Sequence, residues 1–432
     1  MNKRILTAAA VLLTLTAAAQ NYSVLDEVRT DARKAAGIEG PYIFETTALT
    51  PSPKGYKPFY ISHYGRHGSR YSWTTKTYTT LLTALNDAKK ADNLTAYGED
   101  FLSRLEAFSP IPLENTGDLV PLGAEQHERL AKEMYEAFPK VFKGSCKVDA
   151  RSSTTARCGI SMAAFCTSLQ KQNPGISISF SSNHMGMREL VPTSAPSAYK
   201  RTFKGADYPE MESLSSFSHR VADYQGILGK LFKDPSFLKN YDGGETFFLE
   251  KLYYFIGSYP NYSDPALFSD LLTPEQHAGL WEVFNYSLFL ANKAGRFNMI
   301  PLLEDFVSKA DGAIEGNGIA ADLRFGHDFV MEAFNCLINT DGYGTVPQKA
   351  DDVKYWFQSY RVPMAATIMF VLYRSPRHPS DILFKFLWNG KEAAFPDLEP
   401  VSGPYYRWSD FRRYCLDKLA KYDLSAAKSP EP

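Results

Sequence analysis

Hydrophobic and polar positions along the chain change period several times, and each change marks an element. Residues 58–64 (PFYISHY) are rich in aromatic and β-branched side chains and predict a strand, closed by Gly65 and Gly68. Helical spacing follows over 77–90 and again over 125–138, the second preceded by Pro121 and Gly123. A short strand over 146–150 leads to Arg151. Ser152, Ser153 and Thr154 then suit a helix N-cap before a small-residue helix over 156–169. Residues 176–180 alternate as a strand. The stretch 213–310 is mostly helical, interrupted at Gly243-Gly244 and at Tyr259-Pro260-Asn261. A strand over 320–325 ends at Gly326, and His327-Asp328 opens an apolar helical pattern. Residues 362–373 and 382–388 read as strands, and Asn389-Gly390 is a two-residue hairpin signal.

Strands that feed helices predict an α/β fold: a central, mostly parallel sheet flanked by helices, with an inserted, mainly helical domain capping the site. The mature chain, 20–432, reads as one domain. Its α/β core spans about 45–200 and 311–432, and the helical insert about 201–310, with contributions from 75–135.

The first residues predict a leader rather than part of this fold. Lys3 and Arg4 precede an apolar run over 5–15, and Ala17-Ala18-Ala19 offers a cleavage site, so residues 1–19 are expected to be a signal peptide. Export to the periplasm or the medium follows from that expectation. The run is short for a membrane span, and no later segment of the mature chain qualifies. Five cysteines remain, an odd number, so at least one is unpaired or bonded to another chain. The net charge of −1 argues against a nucleic-acid partner while leaving room for a local basic pocket.

Three segments share one design, a strand followed by polar residues. They deliver Arg66-His67-Gly68-Ser69-Arg70, then Arg151, then His327-Asp328. Ligands collect beyond the carboxyl ends of strands in open α/β sheets, so the three are expected to converge. Arg66, Arg70 and Arg151 would bring forked donors suited to a phosphate group. Their charge would favour neutral, nucleophilic His67. His67 would attack phosphorus, Asp328 would protonate the leaving oxygen and then activate water, and His327 would donate to a phosphate oxygen. No step needs a metal or cofactor, and the partner is a small-molecule phosphate ester.

These motifs resemble the clade-2 histidine phosphatases, also called histidine acid phosphatases, which include phytases and multiple inositol polyphosphate phosphatases. RHGSR at 66–70 matches the family's RHGxRxP signature. LVPLGAEQ at 119–126 is similar to its LTxxGxxQ stretch, and RSSTTARC at 151–158 to the segment carrying its third phosphate-binding arginine. SMAAFCTSL at 161–169, the HD pair at 327–328 and LFKFLWNGK at 383–391 continue the likeness in family order. The resemblance implies His67 as nucleophile and Asp328 as proton donor, with Arg66, Arg70, Arg151 and His327 on the phosphate. It also implies a helical domain facing the site across a cleft. Ser72 stands where the signature ends in proline. RHGSRY is closer to the inositol polyphosphate phosphatase branch, whereas His327-Asp328-Phe329 is closer to phytases and acid phosphatases.

Arg188, Lys200, Arg201 and Lys204 form a basic cluster that could hold further phosphates of a polyphosphorylated substrate; the alternative is a solvated basic stretch. The remaining histidines have no metal-ligand spacing, and His63 is expected to be a packed strand residue. Inositol polyphosphate is the preferred substrate class. A broad acid or sugar-phosphate phosphatase is the enzyme alternative, and a phospholigand-binding protein the other.

Overall fold

Strand β1 (Lys57–Arg66) sends alternate side chains into two cores, as a pleated strand must when both faces are covered. Tyr60 and Tyr64 enter one core and Ile61 the other. The computed structural model describes residues 23–425; the expected signal peptide at 1–19 lies outside the described residues.

The sheet also contains β2 (Cys146–Ser152), β3 (Ile176–Ser182), β4 (Ile319–Gly326), β5 (Thr367–Ser375), β6 (His378–Trp388), β7 (Lys391–Ala393) and β8 (Tyr406–Arg407). Its order is β3-β2-β4-β1-β5-β6-β7, with β8 also on β6. β3, β2, β4 and β1 are mutually parallel; β5 reverses and β6 reverses again, so β1 to β4 and β6 share one direction. The expected mostly parallel sheet is therefore present, with an antiparallel meander on one side. Asn389 and Gly390 turn β6 into β7 with φ of 50° and 74°, the left-handed pair that a tight hairpin requires.

One face is covered by the helices Ile300–Glu315, Asp328–Ile338 and Trp408–Tyr422, the other by Pro121–Ala137 and Ala156–Gln172. A separate core is wholly helical. It joins Val24, Val28 and Ala35 to Leu81, Leu85, Phe101 and Leu105, and to Leu228, Leu252 and Trp281. This grouping differs from the expected one in two places: the Pro121–Ala137 helix buries Leu130, Ala131 and Met134 against the sheet, and the Ile300–Glu315 helix does the same on the other face. The N-terminal helices, which the expected boundaries left unassigned, join the helical core. An amphipathic stripe declares that a face will be buried, not against what. Strand β5 also begins later than expected: residues 362–366 form a loop in which Pro363 has no N–H to pair and Ala365 holds φ of 60°.

All five cysteines are free. Among the described residues no helix is long and apolar enough to cross a membrane.

Candidate active site

β1 and β4 are central, parallel neighbours, and their last residues, Arg66 and Gly326, stand opposite each other. The chain leaving β4 enters a helix on one face, while the helices that follow β1 in the chain and pack on the sheet lie on the other. This is the switch in helix side beyond which a ligand site is expected at the strand ends. Residue His67 thus lies beside His327, with ring centroids 5.8 Å apart, and its N–H donates to the Gly326 carbonyl at 2.9 Å.

The loop after β1 is held by the 119–126 segment. Gly68 and Gly123 pack backbone to backbone: a Cβ on Gly68 would lie 2.2 Å from the Gly123 oxygen. Gly68 N–H donates to Ser161 Oγ (3.0 Å), Ser69 N–H to Gln126 Oε1 (2.9 Å) and Val120 N–H to the Ser69 carbonyl (3.0 Å). Ser72, where the family signature has proline, donates to Thr77 Oγ1 at 2.8 Å, so hydrogen bonding restrains the loop's exit.

His67 is buried, and its Nδ1 lies 2.9 Å from the Gly68 carbonyl. A carbonyl only accepts, so Nδ1 carries the proton and Nε2 keeps the lone pair. Burial, then Arg66, Arg157 and Arg70, hold the imidazole well below its ordinary range. Arg66 is fully buried; Nη1 donates to the carbonyls of Ile38 and Val362, and Nη2 meets Asp328 Oδ2 at 3.3 Å. Arg70 pairs end-on with buried Glu39 at 3.2 and 3.1 Å. Arg157, second residue of the Ala156–Gln172 helix, donates to the Gly117 carbonyl at 3.3 Å and acts electrostatically on Arg70, Arg66, His67 and Asp328. The Nε–H groups of Arg66, Arg70 and Arg157 are buried without a hydrogen-bond partner.

His327 Nε2 lies 3.1 Å from Ser153 Oγ, and its ring stacks on Phe329. Burial and the three arginines lower it to about 4 against the pull of Asp328. Burial pushes the Asp328 carboxyl up, but Arg66, Arg70, His327 and the Phe329 N–H outweigh it and hold it below the usual range. One helical turn on, Glu332 accepts from Asn292 Nδ2 at 3.2 Å, and burial beside Asp328 raises it to about 8. Tyr254, on the Gly244–Ser258 helix that lends Leu252 to the helical core, feels both Asp328 and Arg70 and packs edge-to-face on half-exposed Trp73 at 6.5 Å.

The structure therefore gathers His67, Arg66, Arg70, His327 and Asp328, as the sequence predicts, but not Arg151. Within β2, Arg151 projects onto the face covered by the Ile300–Glu315 helix, where Asp305 takes its Nη2 at 2.6 Å and Arg324 Nε at 2.6 Å. Arg157, six residues further along, is the third arginine whose charge acts on His67. The signal for it was positional: Arg157 opens a helix beyond the strand end, whereas Arg151 still belongs to the strand. Glu39 carried no sequence signal. The distal cluster is apart from this constellation. Arg188, Lys200 and Arg201 line a cleft of about 250 Å³ with Thr193 and Asn298, which includes none of the residues around His67. There Arg201 is paired with Glu304 and Asp423, and Arg188 with Glu189. His63 is fully buried against Phe165 and Phe325, a packed strand residue. Among the described residues no group of three or more His, Cys, Asp or Glu suits a metal ion.

A strand-end histidine lies among arginines on this mixed sheet, the arrangement expected of a histidine phosphatase. Residues 65–222 match the model of the histidine phosphatase superfamily, branch 2. No curated protein sequence matches the chain. The fold is similar to that of the Bifidobacterium longum multiple inositol polyphosphate phosphatase in complex with inositol hexasulfate. That match has a TM-score of 0.70 and 17% identity, covering 88% of this chain and 97% of that one. It is also similar to the phytase from D. castellii (TM-score 0.64, 18% identity, 93% and 86% covered) and the Hafnia alvei phytase in complex with tartrate (0.53, 13%, 85% and 98%).

Proposed function

We propose that this phosphatase hydrolyses phosphomonoesters through a phosphohistidine on His67, with inositol polyphosphates as its substrate class. The observation that carries the reading is the placement of His67, with Nε2 unprotonated, beside Asp328 and three arginines whose Nε–H donors lack partners. His67 Nε2 bonds to phosphorus as the ester P–O bond breaks, and the leaving oxygen takes the Asp328 proton. Asp328 then takes a proton from water, whose oxygen attacks phosphorus and breaks the P–N bond, releasing phosphate and restoring both groups. Arg66, Arg70, Arg157 and His327 hold the phosphoryl oxygens. Arg157 replaces Arg151 in this role because Arg151 is committed to Asp305. No step calls for a metal.

The substrate class rests on the family resemblance and on the similar fold of an inositol polyphosphate phosphatase and of phytases. A second reading, a broad acid or sugar-phosphate phosphatase, is favoured by the pairing of the distal arginines: Arg201 already has two carboxylate partners and Arg188 one. Export through the 1–19 leader, and the division into an α/β core and helical cap, belong to the proposal. A phosphate-release panel with inositol hexakisphosphate, glucose 1-phosphate and an aryl phosphate tests it. Preference for the first supports the substrate class; comparable rates on all three support the second reading; no release from any would leave a phospholigand-binding protein.

A further inference from the structure

Resting on the phosphatase reading, we infer that Glu39 is a positioning residue of the phosphate clamp, acting through Arg70. It belongs to an N-terminal segment outside the family-matched residues 65–222.

Three consecutive residues of that segment engage the site. The Ile38 carbonyl accepts from Arg66 Nη1, the Glu39 carboxylate takes Arg70, and the Gly40 carbonyl accepts from Met364 N–H at 2.9 Å. The approach depends on Gly37, which holds φ of 56° and where a Cβ would lie 2.7 Å from the Tyr253 hydroxyl.

Glu39 grips Arg70 from behind. Its oxygens take Nη1 and Nη2 end-on, at 3.2 and 3.1 Å, which leaves the side-on edge of the guanidinium, Nε–H with the outer Nη2–H. Arg70 Nε is buried and has no partner. A phosphoryl oxygen fits that edge, and an end-on carboxylate fixes the plane in which the edge is offered. Asn261 sets carboxylate and loop in one frame: Nδ2 donates to the Glu39 carbonyl at 2.8 Å, and Oδ1 accepts from Ser69 Oγ at 2.7 Å, next to Arg70 in the chain. Glu39 also offsets one of the three cations, so that Arg70 is oriented without a free carboxylate lying where the phosphate must go.

The test uses the full chain and an aryl phosphate. Glu39→Asp keeps the charge but withdraws it by one methylene. It is expected to lower kcat by about 10²-fold, the cost of a displacement near 1 Å, with little change in KM. Glu39→Gln is expected to have no further effect when Arg70 is already Gln. A Glu39→Asp enzyme with kcat within about twofold of wild type, or Glu39→Gln and Arg70→Gln losses that multiply, would overturn the inference. Melting temperatures accompany each variant, and the double variant, which removes both charges, carries the test if Glu39→Gln alone does not fold. Wild type without phosphatase activity removes the reading beneath; active wild type with an unaffected Glu39→Asp removes only the role of Glu39.

Discussion

Arg66 and Asp328, 262 residues apart in the chain, meet at 3.3 Å because parallel register sets Arg66 opposite Gly326, two residues before Asp328. The contact creates a tension that the chemistry must resolve. Arg66 holds the Asp328 carboxyl ionised in the free site, yet the leaving oxygen needs its proton. A phosphate dianion between the arginines opposes their field and raises the proton affinity of Asp328, so acid pH and bound substrate act together.

Removing the acid should hurt poor leaving groups most. Asp328→Asn is expected to lower kcat/KM for an alkyl phosphate such as glucose 6-phosphate by about 10²–10⁴-fold, and for an aryl phosphate much less. Equal losses on both esters, measured side by side, contradict a proton-donor role.

The pH profile should carry no histidine limb. Burial and three arginines keep His67 neutral well below pH 6.5, so kcat at saturating substrate should not fall with a midpoint near 6.5 as the solution is acidified towards pH 4.5. A loss centred near 6.5 would mean that His67 protonates normally and is not held as described.

Arg157 and Arg151 should separate cleanly. Arg157→Gln is expected to lower kcat/KM by about 10²–10³-fold, as for loss of one transition-state donor. Arg151→Gln should act on stability, since Asp305 then keeps only Arg324, and should lower the melting temperature while turnover persists. The reverse pattern would return Arg151 to the clamp.

Much of this site was legible in the sequence because its chemistry is local. RHGSR and HD each close a strand, and strand ends converge by topology. Arg151 misled for a geometric reason: a side chain inside a strand faces one of two sheet surfaces, and Arg151 faces Asp305. Arg157 sits past the strand, where direction is set by the helix start. Glu39 was not legible, since its only meaning is a partner that folding brings from 31 residues away. The grouping of Pro121–Ala137 with the sheet, rather than with the helical core, was hidden for a similar reason.

Glu332 makes a stability prediction with a definite sign. Its carboxyl is raised to about 8 in the folded protein, above the 4.5 of an unperturbed glutamic acid. The unfolded chain therefore releases this proton first, and stability falls as pH rises from about 4.5 to 8, on the order of 1.4 kcal/mol per pH unit. Glu332→Gln removes that loss. Thermal melts should show the variant gaining on wild type between pH 5 and 8, with little difference at pH 4.5; a constant offset would contradict a buried, protonated Glu332.

The most direct test of the account is to trap the intermediate. Substrate mixed with enzyme for less than one turnover, quenched in alkali to preserve phosphohistidine and digested, should yield a phosphorylated peptide with the phosphate on His67. The Asp328→Asn enzyme, slowed in hydrolysis, should accumulate more of it from an aryl phosphate. A competent wild-type enzyme that turns over with no phosphate on His67, or a His67→Ala variant that keeps full activity, would contradict the covalent mechanism.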